Sequence, residues 1–175
     1  MEGPKALIDP AYVQMMARYN TWQNNQLFVA LDVMSPDELT KDRGAFFGSI
    51  HATLNHLLWG DMLWLNRFDP STPSPSGDPT DSKSLFATQS EWRTERKATD
   101  GRLLNWAAKV TQVELDAELT MFSRVLQAET KGPMSMCVPG FFNHQTHHRG
   151  QVHAMLTAAG NEAPVSDLFF MPKDI

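Results

Sequence analysis

Four long stretches of this chain repeat apolar residues at intervals of three and four, and this period restricts the fold more than any other feature. Such spacing places the apolar side chains on one face of an α-helix. We predict helices over about 10–31, 44–68, 85–110 and 139–160. Four long helices in one domain are typical of an antiparallel four-helix bundle. The chain is therefore predicted to be all-α, with residues 1–175 forming a single domain.

Two other stretches break the helical period. Every residue from 69 to 82 is Asp, Pro, Ser, Thr or Gly, which predicts an exposed loop. Between 119 and 138 the pattern is nearer period two, with Leu119, Met121, Ser123 and Val125 on one side. We predict a short β-hairpin there, with its turn at 131–133 and a return strand over 134–138.

Charge and apolar clusters give two further expectations. The stretch from Glu91 to Arg102 is dense in charged residues, and we expect it to form a solvent-exposed helix face. Near the end of the chain, Leu168, Phe169, Phe170 and Met171 form a short apolar group. We expect this group to dock on the body of the protein.

The composition argues against several classes of partner. The net charge of −5 and the pI near 5.6 disfavour nucleic acid and anionic membranes. No apolar run approaches the roughly 18 residues that span a bilayer, and the N-terminus has no signal-peptide pattern. The single cysteine, Cys137, excludes an intramolecular disulfide and fits a reducing compartment. We therefore expect a cytoplasmic protein that acts on a small-molecule substrate.

The histidines are unevenly distributed, since four of the six lie between positions 144 and 153. At about 100° per residue, His144 and His148 fall inside the apolar stripe of the last helix. His147 falls on its flank and His153 on the far side. Two imidazoles one helical turn apart can bind one cation, so we predict a divalent metal site. The alternative is a pair of buried histidines whose ring nitrogens are hydrogen-bonded within the core.

The spacing of these two histidines also argues against one class of enzyme. In a zincin protease the residue after the first histidine is a glutamate that acts as the general base. Position 145 is a glutamine here, which cannot take up a proton. A metalloprotease is therefore disfavoured.

A third ligand is required, and Cys137, His51 and His56 are the candidates outside the cluster. Helical periodicity favours His51, which lies near the stripe formed by Leu54 and Leu58. The second helix is apolar nearly all round, so periodicity alone leaves the choice open.

A sequence motif resembles the signature of the DinB/YfiT-like family of damage-inducible metalloproteins, which is distinct from the DNA polymerase of similar name. The motif is His-x-x-x-His-Arg-Gly-Gln at 144–151, preceded by Phe142 and Asn143, and the similarity extends to 49–57 and to 64–65. The resemblance implies a four-helix bundle, commonly a homodimer, with zinc or nickel held by three histidines.

Carried over residue by residue, the resemblance implies that the metal ligands are His56, His144 and His148. It therefore favours His56 over His51 as the third ligand. His51 is then expected either to support the ligands from outside the metal site or to lie at the surface. Arg149 could contact an anionic group or make a structural salt bridge. Asn143 and Asp61 are candidates to orient the ligand imidazoles.

Three neutral imidazoles leave an open coordination position on a divalent cation, as in catalytic sites. The resemblance implies thiol chemistry, because relatives include transferases and isomerases that use low-molecular-weight thiols such as bacillithiol or mycothiol. We expect a metal-dependent enzyme that activates a small thiol. The alternatives are a hydrolase that uses bound water and a metal-binding stress protein without catalysis.

Overall fold

A computed structural model of the protein describes residues 6–123 and 126–174 and shows a helical bundle with one small hairpin. This confirms the predicted all-α fold. The four long helices are α1 (Pro10–Asp32), α3 (Ile50–Phe68), α4 (Gln89–Ala107) and α6 (Met134–Ala158). The shorter elements are α2 (Pro36–Thr40), α5 (Gln112–Leu115), β1 (Glu118–Ser123), β2 (Ala128–Pro133) and two 3₁₀ turns, at Pro79–Ser84 and Leu168–Phe170.

Side-chain caps fix where the long helices begin. The Asp9 carboxylate accepts a hydrogen bond from the Tyr12 amide at 2.8 Å, and Ser49 accepts one from Ala52 at 3.1 Å. These bonds satisfy amide groups that have no partner within the helix. The second long helix begins at Ile50 rather than near 44, because a tight turn ending at Gly48, with φ of 83°, precedes its cap.

Contacts between the long helices give their relative directions. Helix α1 runs antiparallel to α4, since Asn24 contacts Asp100 and the Phe28 carbonyl accepts from Arg93. Helix α3 runs antiparallel to α6, because its last residue, Phe68, lies against Phe141 near the start of α6, with ring centroids 5.7 Å apart.

Helices α3 and α4 run in the same direction. Near the start of both helices, the Trp92 indole donates to the Leu54 carbonyl at 3.0 Å. Near their ends, Phe68 stacks on Trp106 with ring centroids 5.0 Å apart. The segment 69–88 must therefore travel back along the bundle before α4 begins, which requires a long connection.

In the part of the chain that the structure describes, the core consists of two hydrophobic clusters separated by a polar layer. Every long helix contributes to all three zones. The first cluster includes Val13, Ala17, Leu65, Phe68, Leu103, Trp106, Phe141 and Phe142. The second includes Leu27, Leu31, Ile50, Leu54, Leu58, Trp92, Val152 and Met155. Along each helix, the buried polar residues lie between them: Asn20, Asn24, Asp61, Arg96, Asp100, Gln145 and Arg149.

The polar layer contradicts the expectation that the charged stretch of α4 faces solvent. Arg96 is only 1% exposed and lies 2.5 Å from an Asp61 oxygen and 2.7 Å from an Asp100 oxygen. Asp100 also accepts hydrogen bonds from Asn20 and Asn24 on α1. The expectation was wrong for Arg96 and Asp100 because charged groups can be buried when they are paired, and one partner lies on another helix.

The hairpin forms as predicted, but its boundaries differ. Strand β1 pairs antiparallel with β2, with Glu118 opposite Pro133. Residues 131–133 lie in β2 rather than in a turn, and 134–138 form the start of α6 rather than a strand. Met134 and Val138 are both buried, at the spacing of one helical turn. Helix α6 therefore begins before Pro139, which lies inside the helix. Val125, which we assigned to the first strand, lies outside the described residues.

The C-terminal tail attaches through its backbone rather than through its apolar group. The Tyr19 hydroxyl donates to the Ser166 carbonyl at 2.5 Å, and Gln23 donates to the Val165 carbonyl at 2.8 Å. The side chains of Leu168, Phe169 and Phe170 are exposed, and Phe169 is 90% exposed. The expected docking of this group was therefore wrong. Among the helices of the described residues, none is long and apolar enough to cross a membrane.

Two arginines of α4, the buried Arg96 and the partly exposed Arg102, provide a test of the polar layer. We expect Arg96→Met to lower the free energy of unfolding by about 3–5 kcal/mol, because it leaves two buried carboxylates without their cation. The matched control is Arg102→Met, which removes a partly exposed pair with Glu95 and should cost at most about 1 kcal/mol. Urea unfolding of the two variants measures both values, and equal losses would contradict the buried network.

Candidate metal centre

The structure brings together the three histidines that the family resemblance singled out. His56 lies on α3, and His144 and His148 lie one turn apart on α6. One ring nitrogen from each lies within 4.8 Å of the others. The ring centroids of His144 and His148 are 4.4 Å apart, and His56 lies 4.8 Å from His148 and 5.4 Å from His144. Such a cluster could hold a metal ion.

The other two candidates for the third position lie elsewhere. The Nε2 atom of His51 lies 2.9 Å from the carbonyl oxygen of Phe86, so His51 contacts the segment that connects α3 and α4. The preference for His51 from helical periodicity was therefore wrong. It failed because α3 is buried nearly all round, so an apolar stripe cannot show which side faces α6. Cys137 packs against Gly132 of the hairpin, and burial raises the pKa of its thiol.

A hydrogen bond from the connecting segment orients His56. The His56 Nδ1 atom lies 2.9 Å from the Ser82 hydroxyl, which donates its own hydrogen to the Pro79 carbonyl at 2.6 Å. Because a serine hydroxyl has one hydrogen, His56 Nδ1 must be the donor. Its Nε2 atom then keeps a free lone pair, which is the form that binds metals.

Ser82 is a site residue that sequence reasoning missed. The composition of 69–82 predicted an exposed loop, yet Ser82 is 1% exposed and lies in a 3₁₀ turn that packs on α3. Asp78 and Asp81 form a capping box that starts this turn. That Asp-x-x-Asp spacing with Pro79 at the first position was the available local signal.

A neighbour on the same helix orients His148. Its Nδ1 atom lies 2.8 Å from the Gln151 side-chain oxygen, which can only accept. His148 Nδ1 is therefore the donor, and its Nε2 atom is also left with a free lone pair. The Gln151 amide nitrogen lies 3.2 Å from the exposed His147, so this glutamine links the two rings.

His144 is packed tightly against the backbone of α3. A Cβ atom added at Gly60 would lie 2.8 Å from His144 Cε1, so only glycine allows this approach. Within the described residues, His144 Nδ1 and Asp61 Oδ1 are buried atoms without a hydrogen-bond partner. An orphaned imidazole nitrogen beside two rings with free lone pairs fits a site that binds a cation.

Burial keeps the three imidazoles neutral at pH 7. Burial, and after it the charges of His148 and His144, lowers the pKa of His56 to about 4. Burial also lowers the pKa of His144, against an opposing effect of Asp61, and that of His148, against its bond to Gln151. Neutral imidazole is the form that coordinates a metal.

The other three residues singled out from the sequence, Arg149, Asn143 and Asp61, lie outside the histidine cluster. Arg149 is buried, donates to the Asn20 side-chain oxygen and lies over the Tyr19 ring at 5.7 Å. Among the described residues it therefore makes a hydrogen bond to a neutral amide rather than the expected salt bridge, and its side chain also borders a pocket lined by Gln23 and His153. Asn143 is exposed on α6, whereas Asp61 is held in the polar layer by Arg96.

Fold and site together define a helical-bundle protein with a three-histidine cluster between its second and last long helices. The DinB family model matches residues 8–173, and the chain belongs to the DinB family. The chain is also 26% identical over 159 residues to Protein DinB of Bacillus subtilis (strain 168), an alignment that covers 85% of this chain and 87% of that relative. These matches confirm the family resemblance of the motif.

The close approach at Gly60 can be tested without any metal. We expect Gly60→Ala to lower the free energy of unfolding by about 1–3 kcal/mol, because the added methyl group overpacks against His144. The matched control is Gly101→Ala on α4, where a Cβ atom meets nothing within 4 Å. That change should stabilise the protein by up to about 1 kcal/mol. Thermal unfolding of both variants gives the comparison, and two substitutions of the same sign would contradict the packing.

Proposed function

We propose that this protein binds one divalent cation, zinc or nickel, through His56, His144 and His148. The observation that supports this most strongly is the convergence of their ring nitrogens within 4.8 Å. The hydrogen bonds of His56 and His148 leave an Nε2 lone pair free on each ring. Neutral imidazole donors suit zinc and nickel, while oxygen donors would suit magnesium or calcium.

We further infer that the protein is a metal-dependent enzyme that activates a low-molecular-weight thiol for attack on an electrophilic small molecule. Three protein ligands leave one coordination position open. If His56, His144 and His148 hold a divalent cation, its charge would favour loss of the proton from a coordinated thiol. The chain's own residues keep the three imidazoles neutral and fix the orientation of two of them.

Two observations favour a small-molecule thiol over the alternatives. Cys137 lies outside the histidine cluster, about two helical turns before His144 on α6, so the sulfur is better supplied by a small molecule. A hydrolase that uses bound water would need a general base, and Asp61, the carboxylate whose charge acts on His144, is paired with Arg96 through one of its oxygens. A homodimer, a small-molecule substrate and a cytoplasmic location stay predictions.

Elemental analysis of the purified protein tests the metal site. We expect about one divalent metal ion per chain in the wild-type protein. Each of His56→Ala, His144→Ala and His148→Ala should lose most of it, because each removes one ligand. His51→Ala and His153→Ala are matched controls, since these histidines lie outside the cluster, and should retain it. If the first three variants keep their metal, the cluster is only a set of core histidines.

A conjugation assay tests the proposed reaction. We expect the metal-loaded protein to accelerate the reaction of monobromobimane with one member of a panel of low-molecular-weight thiols. The sulfur–carbon bond forms, bromide leaves and the thiol proton goes to solvent. His56→Ala should abolish the acceleration. Ester turnover without added thiol would instead support a hydrolase, and absence of both activities would indicate a metal-binding protein without catalysis.

A further inference from the structure

An aromatic ring outside both hydrophobic clusters lies directly on the histidine cluster. Phe47 stacks on His56 with ring centroids 4.0 Å apart and an interplanar angle of 26°. The same ring lies 5.5 Å from His148. Phe47 is only partly buried and is absent from the described core clusters. Its position is therefore explained by the histidines rather than by the packing of the core.

A closed turn holds Phe47 in place. Phe46 and Phe47 are its two central residues, and the Gly48 amide donates to the Ala45 carbonyl at 2.8 Å. The Arg43 amide donates to the Gly48 carbonyl at 2.7 Å, which closes the base of the turn. Gly48 has a φ of 83°, a conformation that favours glycine.

The turn is also tied to the rest of the fold on both sides. The Arg43 side chain lies 2.6 Å from a Glu38 carboxylate oxygen on α2. On the other side, Ser49 follows at once as the cap of α3, the helix that bears His56. The ring is thus presented by a fixed support rather than by a movable lid.

We propose that Phe47 determines the specificity of the site, by forming a fixed apolar wall beside the position that a ligand of the three histidines occupies. The site then prefers thiols that carry an aromatic ring close to the sulfur. An aromatic ring gains from packing against another ring, and Ser82 and Gln151, which hydrogen-bond to the histidines, are uncharged. This inference rests on the proposed function, since it requires a metal that can accept a thiol.

Spectroscopic titration of the cobalt-loaded protein tests the wall without measuring turnover. Benzyl mercaptan and 2-mercaptoethanol are the two probes, and the ratio of their affinities is the readout. We expect the wild-type protein to favour benzyl mercaptan. Phe47→Ala should reduce the ratio about two- to tenfold, the size of one lost aromatic contact. Phe169→Ala is the matched control, because that ring is 90% exposed and its ring contact is with Phe170 in the C-terminal tail, and it should leave the ratio unchanged.

The outcomes separate this inference from the proposed function. If Phe47→Ala binds cobalt normally and keeps the wild-type ratio, the proposed role of Phe47 in specificity is wrong, while the proposed metal site is still supported. If Phe47→Ala loses cobalt, Phe47→Leu replaces it, since leucine keeps apolar bulk without a ring. An unchanged ratio in that variant then overturns the inference. If the wild-type protein binds no cobalt, the proposed function fails, and the inference fails with it.

Discussion

The bundle depends on a buried ion network around Arg96, which lies between the carboxylates of Asp61 and Asp100. Asp61 belongs to α3, and Asp100 accepts from two asparagines of α1, so the arginine links three helices. One of those asparagines, Asn20, accepts from Arg149 of α6 and adds the fourth helix. A shift of any helix would leave a charge unpaired in the core, at a cost of several kcal/mol. The polar layer thereby favours one register for α6, the helix that carries His144 and His148.

The direction of the helices and the setting of His56 are linked through one segment of chain. Because α3 and α4 run in parallel, the connection 69–88 has to pass along the bundle. Its 3₁₀ turn buries Ser82 against α3, where the hydroxyl fixes the tautomer of His56. A shorter connection would reverse the direction of α4 and remove this hydrogen bond. The connecting segment thus contributes Ser82 to the site, a residue that the two helices bearing the histidines do not provide.

The spacing of apolar residues and the helix caps were sufficient to predict the four long helices, because both features lie within one stretch of sequence. The four helices follow from apolar spacing and from caps such as Asp9 and Ser49. The prediction that His144 and His148 both face the core follows from their spacing of four residues, which is about one helical turn. Periodicity failed where partners are distant in the chain. The burial of Arg96 depends on Asp61, 35 residues earlier, and the choice of His56 over His51 depends on which side of a nearly uniform helix meets α6. The family motif supplied that choice, because a motif reports tertiary neighbours that a helical wheel cannot.

The three imidazoles are each constrained from a different direction. Ser82 holds His56 from the connecting segment, Gln151 holds His148 from its own helix, and Gly60 lets His144 approach the α3 backbone. Burial removes their charge, so they do not repel one another at neutral pH or repel a cation. Imidazoles that are already neutral and held in place would need little reorganisation to hold a cation. Phe47 stacks on one face of His56, so the cluster is bordered on that side by an apolar ring and on the others by the helices that carry the three histidines.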